Sequence, residues 1–183
     1  MVSIQLKLGQ SLAHICGGSI IRSNLVLTAA HCMKDKDITE MTLVFGTGDL
    51  SLAGPFRTER NISEVMIHPL YNHGESYYDA AVIVLDKELD FNEGIGNICL
   101  PPKATLDSSN RRGDMATLTG WGATEPGGPT SAELGHASMM IFADSYCNRS
   151  RIIINNQDVE SESSLVPDLF HSPVFCAGIS KNI

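Results

Sequence analysis

The sequence contains no long apolar run and no cluster of basic residues. No stretch approaches the roughly 18 consecutive apolar residues that a membrane-spanning helix needs. Acidic residues outnumber Lys and Arg by 21 to 13, and the longest basic cluster is the pair Arg111 and Arg112. The first absence argues against a membrane partner, and the second removes the electrostatic footprint of a nucleic-acid partner. We therefore predict neither kind of partner.

The sequence also lacks a leader segment at its start. Met1 is followed directly by residues 2–8, V-S-I-Q-L-K-L, which resemble a β-strand and not a signal peptide. A chain that begins on a strand is typical of a fragment. We therefore expect that this chain belongs to a longer protein.

Cysteines are few, and their number is odd. The five lie at positions 16, 32, 99, 147 and 176, so at least one thiol is unpaired or bonded outside this chain. Two Asn-x-Ser sequons begin at Asn61 and Asn148 and are candidate glycosylation sites. Together, the cysteines and sequons predict a secreted, extracellular protein.

The composition and the patterning favour a packed β-protein. Hydrophobic residues make up 43% of the chain and charged residues 19%, which predicts a core instead of disorder. Residues 80–85 are apolar throughout and predict a strand buried on both faces, whereas the polar residues 46–60 predict a loop. Further strands are predicted at residues 2–8, 15–22, 24–28, 41–45, 115–120 and 137–143.

Five short motifs occur in a fixed order along the chain. They are C-G-G-S at 16–19, T-A-A-H-C at 28–32, D-A-A-V-I-V-L at 79–85, T-G-W-G at 119–122 and F-C-A-G at 175–178. No single string would identify a family, but their joint occurrence in this order is very specific. In this respect the chain resembles the trypsin/chymotrypsin-like serine endopeptidases.

The resemblance implies a fold and a division of the chain. The expected fold is all-β, with two six-stranded antiparallel Greek-key barrels. The first barrel would occupy residues 1–103 nearly completely, and residues 104–112 would form a linker. Residues 113–183 would form a second barrel that lacks its C-terminal strands, and the whole chain would be one peptidase domain.

The same resemblance marks His31 as the general base and Asp79 as the acid that orients it. A lone His-Cys pair is more often a disulfide beside a bystander histidine, and a lone aspartate is more often a strand cap. However, an aspartate at the mouth of a buried strand needs a partner, and an imidazole N–H is a suitable one. With both motifs in one chain, the catalytic interpretation is favoured.

The resemblance also implies roles for the cysteines. Cys147 and Cys176 are expected to be partners, and Cys99 is expected to bond a propeptide or a second chain, with a free thiol as the alternative. Cys16 and Cys32, if bridged, would fix the turn that carries the histidine. A loop of that size stabilises the fold by roughly 3 kcal/mol in the chain-entropy model.

The nucleophilic serine that the resemblance leads us to expect is missing from these residues. Neither G-D-S-G-G nor G-x-S-x-G occurs in the 183 residues, so we expect that this chain does not itself hydrolyse peptides. The complete protein would be a serine endopeptidase acting on proteins or peptides. The alternative is a non-catalytic homologue that acts by binding. No cofactor is expected, and no metal site, because the six histidines lack ligand spacing.

Overall fold

β-Strands dominate the computed structural model, which describes residues 1–9, 11–72, 77–102, 113–125, 127–142, 152–154, 157–159 and 176–178. The predicted all-β class is confirmed. A helical turn, α1 (Ala30–Met33), and a 3₁₀ turn (Ile38–Glu40) lie between the third and fourth strands. The strands are β1 (Val2–Leu8), β2 (Ser11–Arg22), β3 (Leu25–Thr28), β4 (Met41–Phe45), β5 (Thr58–Arg60), β6 (Ile62–Ile67), β7 (Ala81–Leu85), β8 (Met115–Gly120), β9 (Gly135–Phe142), β10 (Ile152–Ile154), β11 (Gln157–Val159) and β12 (Cys176–Gly178).

The first seven strands form one antiparallel sheet in the order β5-β4-β1-β2-β3-β7-β6. Strands β1 to β3 follow one another through short turns, and β4 returns to pair with β1 on its other side. This spatial order, 4-1-2-3, defines a Greek key. The sheet has seven strands where six were expected, because Asn61 separates β5 from β6 and the two pair with opposite ends of the sheet.

The loop predicted for residues 46–60 is wrong at its end. Residues Thr58–Arg60 form β5, which pairs with β4 from Leu43 to Phe45. The segment T-E-R is polar and has no apolar alternation to signal a strand. This segment becomes a strand by hydrogen bonding to the edge of β4. That pairing depends on tertiary structure, which the local sequence does not show.

Strand β7 is buried mainly on one face. Ala81, Ile83 and Leu85 are buried, whereas Val82 and Val84 on the other face are half-buried. The prediction of burial on both faces is therefore wrong for the second face. The inner face packs into the core of the sheet, which also contains the fully buried side chains of Val2, Ile4, Val26, Leu43 and Phe45.

The register between β3 and β7 brings two distant parts of the chain together. Thr28, the last residue of β3, lies opposite Ala81, the first residue of β7. The chain leaving β3 and the chain entering β7 therefore meet at one end of the sheet. This end carries both residues that the sequence predicts to be catalytic.

The chain divides into two compact units. Residues 1–100 and 119–136 form one, and residues 101–118 and 137–183 form the other. In the first unit the indole of Trp121 is 1% exposed and donates from Nε1 to the carbonyl of Gly48 at 3.3 Å. The boundary predicted at residues 104–112 lies outside the described residues, so the predicted domain limits stay predictions.

The remaining strands form two smaller sheets. Strand β9 lies between β8 and β12 in a three-stranded sheet, and β10 pairs with β11. Across the described residues we find no helix with the length and apolar character needed to cross a membrane.

Candidate active site

His31 lies in a turn that is anchored to strand β2. It is the second residue of α1, directly after the buried Ala30. A disulfide joins Cys32 to Cys16 on β2, with a Cα–Cα distance of 6.2 Å that is usual for such bonds. The hydroxyl of Thr28 donates to the carbonyl of Gly17 at 2.8 Å. The disulfide between Cys16 and Cys32 is therefore confirmed, and it fixes the backbone beside the imidazole.

Asp79 holds His31 through both of its carboxylate oxygens. The ring nitrogen Nδ1 of His31 lies 2.6 Å from Oδ2, and the backbone N–H of His31 donates to Oδ1 at 2.8 Å. The side chain of Asp79 is 27% exposed and that of His31 is 60% exposed. One carboxylate thus fixes the ring and the backbone of the histidine while leaving the outer part of the ring accessible.

This contact determines which nitrogen of the ring can act as a base. A carboxylate only accepts hydrogen bonds, so Nδ1 carries the proton that it donates to Asp79. In the neutral imidazole Nε2 then holds the free lone pair. Nε2 lies 3.4 Å from the sulfur of Cys32, a weak partner. The arrangement presents an oriented proton acceptor at an exposed edge.

The surroundings of Asp79 favour the ionised form of its carboxyl group. Partial burial acts to raise the pKa of its carboxyl, but the His31 ring and the backbone N–H groups of His31 and Ala30 outweigh this effect and lower the pKa below its ordinary value. Because the pKa of the Asp79 carboxyl is lower in the folded state, its contact with His31 stabilises the fold at pH values above the ordinary pKa of an aspartate. That contribution is lost as the pH falls through the lower, folded value.

The comparison with known families agrees with this geometry. The family profile described as Trypsin matches residues 1–179. This chain belongs to the trypsin family. The serine proteinase stubble of Drosophila melanogaster is 31% identical to the trypsin-family chain over 93% of the chain and 20% of its own length.

Two further relatives have similar identity. Chymotrypsin-like elastase family member 1 of Rattus norvegicus is 33% identical over 81% of the trypsin-family chain and 55% of its own length. The venom serine protease Bi-VSP of Bombus ignitus is 34% identical over 74% of the chain and 38% of its own length. The chain thus spans between about a fifth and about half of the length of these relatives.

One cluster in the trypsin-family chain has the atoms of a metal site but not the chemistry. Ligand atoms of Cys16, His31 and Cys32 lie within 4.8 Å of one another. The two sulfurs are joined to each other, whereas a metal binds the thiolate form of cysteine. The cluster is therefore a disulfide beside the histidine.

Of the other predicted site residues, two lie within the described part of the chain and three have no described side chain. Cys99 is exposed and forms no disulfide within the described part of the chain. Asn61 is exposed, and its side chain donates to Asp86 at 3.2 Å. Cys147 and Asn148 lie outside the described residues. Cys176 is described only as backbone in β12, so its pairing with Cys147 stays a prediction.

Sequence reasoning missed two residues beside Asp79. The ring of His68 stacks on that of Tyr78, with centroids 5.0 Å apart and an interplanar angle of 12°. Tyr78 directly precedes Asp79 and has a positive φ of 56°. No periodicity or motif marks a tyrosine for this conformation, so the sequence carried no usable signal.

Proposed function

We propose that His31 and Asp79 are the general base and the orienting acid of a secreted serine endopeptidase that cleaves peptide bonds with a Ser-His-Asp triad. The observation that carries this proposal is the 2.6 Å contact between Nδ1 of His31 and Oδ2 of Asp79 in a chain of the trypsin family. The substrates proposed are proteins or peptides.

In this mechanism Nε2 of His31 takes the proton from a serine hydroxyl as the oxygen attacks the peptide carbonyl. The same nitrogen then returns the proton to the departing amine. Asp79 keeps the proton on Nδ1 and stabilises the imidazolium that forms between these steps. Because a free hydroxyl is a poor nucleophile near neutral pH, the serine depends on this base.

We place the nucleophilic serine of this enzyme in sequence outside residues 1–183. A second candidate function does not require the nucleophilic serine, whose motif G-D-S-G-G does not occur in residues 1–183. In that case the chain is a non-catalytic homologue that acts by binding another protein. Under either function, we propose the exposed Cys99 as the attachment point for a propeptide or a second chain.

Two measurements separate the candidates. The natural transcript should continue in frame into G-D-S-G-G if the endopeptidase proposal holds, whereas a stop codon after Ile183 would favour the binding protein. The purified 183-residue chain should not release the chromophore from chromogenic peptide amides, because it holds no triad serine. Release that disappears in His31→Ala would contradict this expectation for the chain.

Secretion leads to a prediction about Asn61. Expressed behind a secretory leader in eukaryotic cells, the chain should carry an N-linked glycan at Asn61, detected as a mobility shift on treatment with an N-glycosidase. The residue is exposed between β5 and β6. A glycosylated amide keeps one N–H, so the hydrogen bond from the side chain to Asp86 can persist.

Ser63 supplies matched variants for this test. In an Asn148→Gln background, Ser63→Ala should abolish the shift and Ser63→Thr should keep it, while both leave the Asn61 side chain intact. Ser63 is exposed on β6, so neither change disturbs the core. A chain that is secreted without a glycan at Asn61 would refute the prediction.

A further inference from the structure

The chain reverses sharply at Asp79, directly after Tyr78. Tyr78 adopts φ 56°, and the backbone N–H of Ala80 donates to the carbonyl of Tyr78 at 2.7 Å across Asp79. The other non-glycine residue with a positive φ in the described part of the chain is Asp35, a residue type that tolerates this conformation. A bulky tyrosine there is unfavourable and persists only where its surroundings enforce it.

The neighbouring strand supplies such surroundings. The ring of Tyr78 stacks on the imidazole of His68, which directly follows β6. The backbone N–H of His68 donates to the carbonyl of Ala80 at 2.9 Å, extending the pairing of β6 with β7 by one step. The N–H of Leu70 donates to Nδ1 of His68 at 3.2 Å, which fixes the orientation of the imidazole under the tyrosine.

The backbone of Tyr78 leads directly into Asp79, the residue whose carboxylate contacts His31. Asp79 makes both contacts with His31 from the centre of this reversal, through different oxygens at 2.6 Å and 2.8 Å. Two simultaneous hydrogen bonds to one residue leave little freedom for rotation of the backbone at Asp79. A change of φ at Tyr78 would shift both oxygens relative to His31, and hydrogen bonds weaken steeply as their distance and angle depart from ideal values.

We propose that Tyr78 is a positioning residue for Asp79, and that its stack on His68 holds the left-handed turn that aims the carboxylate at His31. A role of Tyr78 in catalysis rests on the proposed function. Its effect on the contact between His31 and Asp79 can be tested without any peptidase activity.

The test is the NMR signal of the His31 Nδ1–H proton in the intact 183-residue chain. A proton in so short a bond to a carboxylate resonates far downfield and exchanges slowly with water. Tyr78→Phe keeps the ring and should keep this signal. Tyr78→Val, a β-branched residue that resists positive φ, should make the proton exchange about tenfold faster, a factor that corresponds to about 1.4 kcal/mol. His68→Ala should have the same effect by removing the stacking partner.

Each outcome bears on the proposal. An unchanged exchange rate in both Tyr78→Val and His68→Ala would overturn it, as would the absence of a downfield signal in the parent chain. Faster exchange in Tyr78→Val alone would overturn the role of the stack. If Tyr78→Val fails to give the backbone amide spectrum of β1 to β4, His68→Ala decides, because Tyr78 itself is then unaltered.

The exchange rates test the role of Tyr78 whether or not the proposed function is correct. If an active enzyme containing these residues is found, Tyr78→Val should lower kcat with little change in KM, because a positioning residue acts on the base and not on substrate binding. If no such enzyme exists, the exchange rates still decide whether Tyr78 orients Asp79.

Discussion

An active enzyme that contains residues 1–183 together with a G-D-S-G-G segment should lose about 10⁶-fold in kcat when His31 is replaced by Ala, the loss recorded when the histidine of a Ser-His-Asp triad is removed. Without Nε2 nothing takes the serine proton. Asp79→Asn should cost about 10⁴-fold. Its amide can donate to Nδ1, which would place the proton on Nε2 and remove the lone pair. The measurement is kcat for a chromogenic peptide amide.

Matched controls separate these losses from general damage. Asp90→Asn makes the same chemical change at an exposed aspartate, and His136→Ala removes an exposed histidine of β9. Both should leave kcat within about twofold of the parent, because surface substitutions away from a site have small effects. A His31→Ala enzyme that retains a tenth of its activity would refute the assignment of the base. Equal losses for all four variants would point to misfolding.

The sequence was sufficient to predict the pair His31 and Asp79 because each lies in a motif at the end of a strand. The strands predicted at residues 24–28 and 80–85 match β3 and β7 within one residue of their observed ends. The partly buried aspartate needed a donor, and the structure places the imidazole of His31 in that position. What the sequence did not contain was the register that sets Thr28 opposite Ala81, because strand pairing depends on long-range packing.

The environment of Asp79 was beyond sequence reasoning for a different reason. A positive φ is usually signalled by glycine or asparagine, and Tyr78 is neither. Its conformation follows from a ring stack with His68, ten positions away, and from the last hydrogen bonds between β6 and β7. Such a contact has no local pattern. It follows from the assembled sheet and not from the propensity of any single residue.

The disulfide between Cys16 and Cys32 gives the second large expected effect. The double variant Cys16→Ala/Cys32→Ala should lower the free energy of unfolding by about 3 kcal/mol, the chain-entropy value for a loop of this size. The bond spans 16 residues and ties α1 to β2. Its removal enlarges the unfolded ensemble, which is the origin of the chain-entropy value. The double variant also leaves a space where the buried sulfur of Cys32 was.

The measurement is urea unfolding followed by fluorescence of Trp121, the single tryptophan of the chain. Its indole is 1% exposed and its ring meets that of His14 edge-on, with centroids 5.7 Å apart. His14 is on β2, the strand that also carries Cys16, so the probe reports the compact unit that the disulfide constrains. Cys99→Ala is the matched control, because Cys99 is exposed and should change the unfolding free energy by less than about 0.5 kcal/mol.

The size of the effect distinguishes two roles for this bond. A loss near 3 kcal/mol shared by the double variant and by the reduced parent chain would mean that the disulfide mainly restricts the unfolded chain. A loss below about 1 kcal/mol would contradict that role. The turn at α1 would then be held chiefly by native contacts, the bond from Thr28 to Gly17 and the two bonds between His31 and Asp79. In that case His31 would keep its position without the disulfide, and the motif C-G-G-S would matter more for packing than for cross-linking.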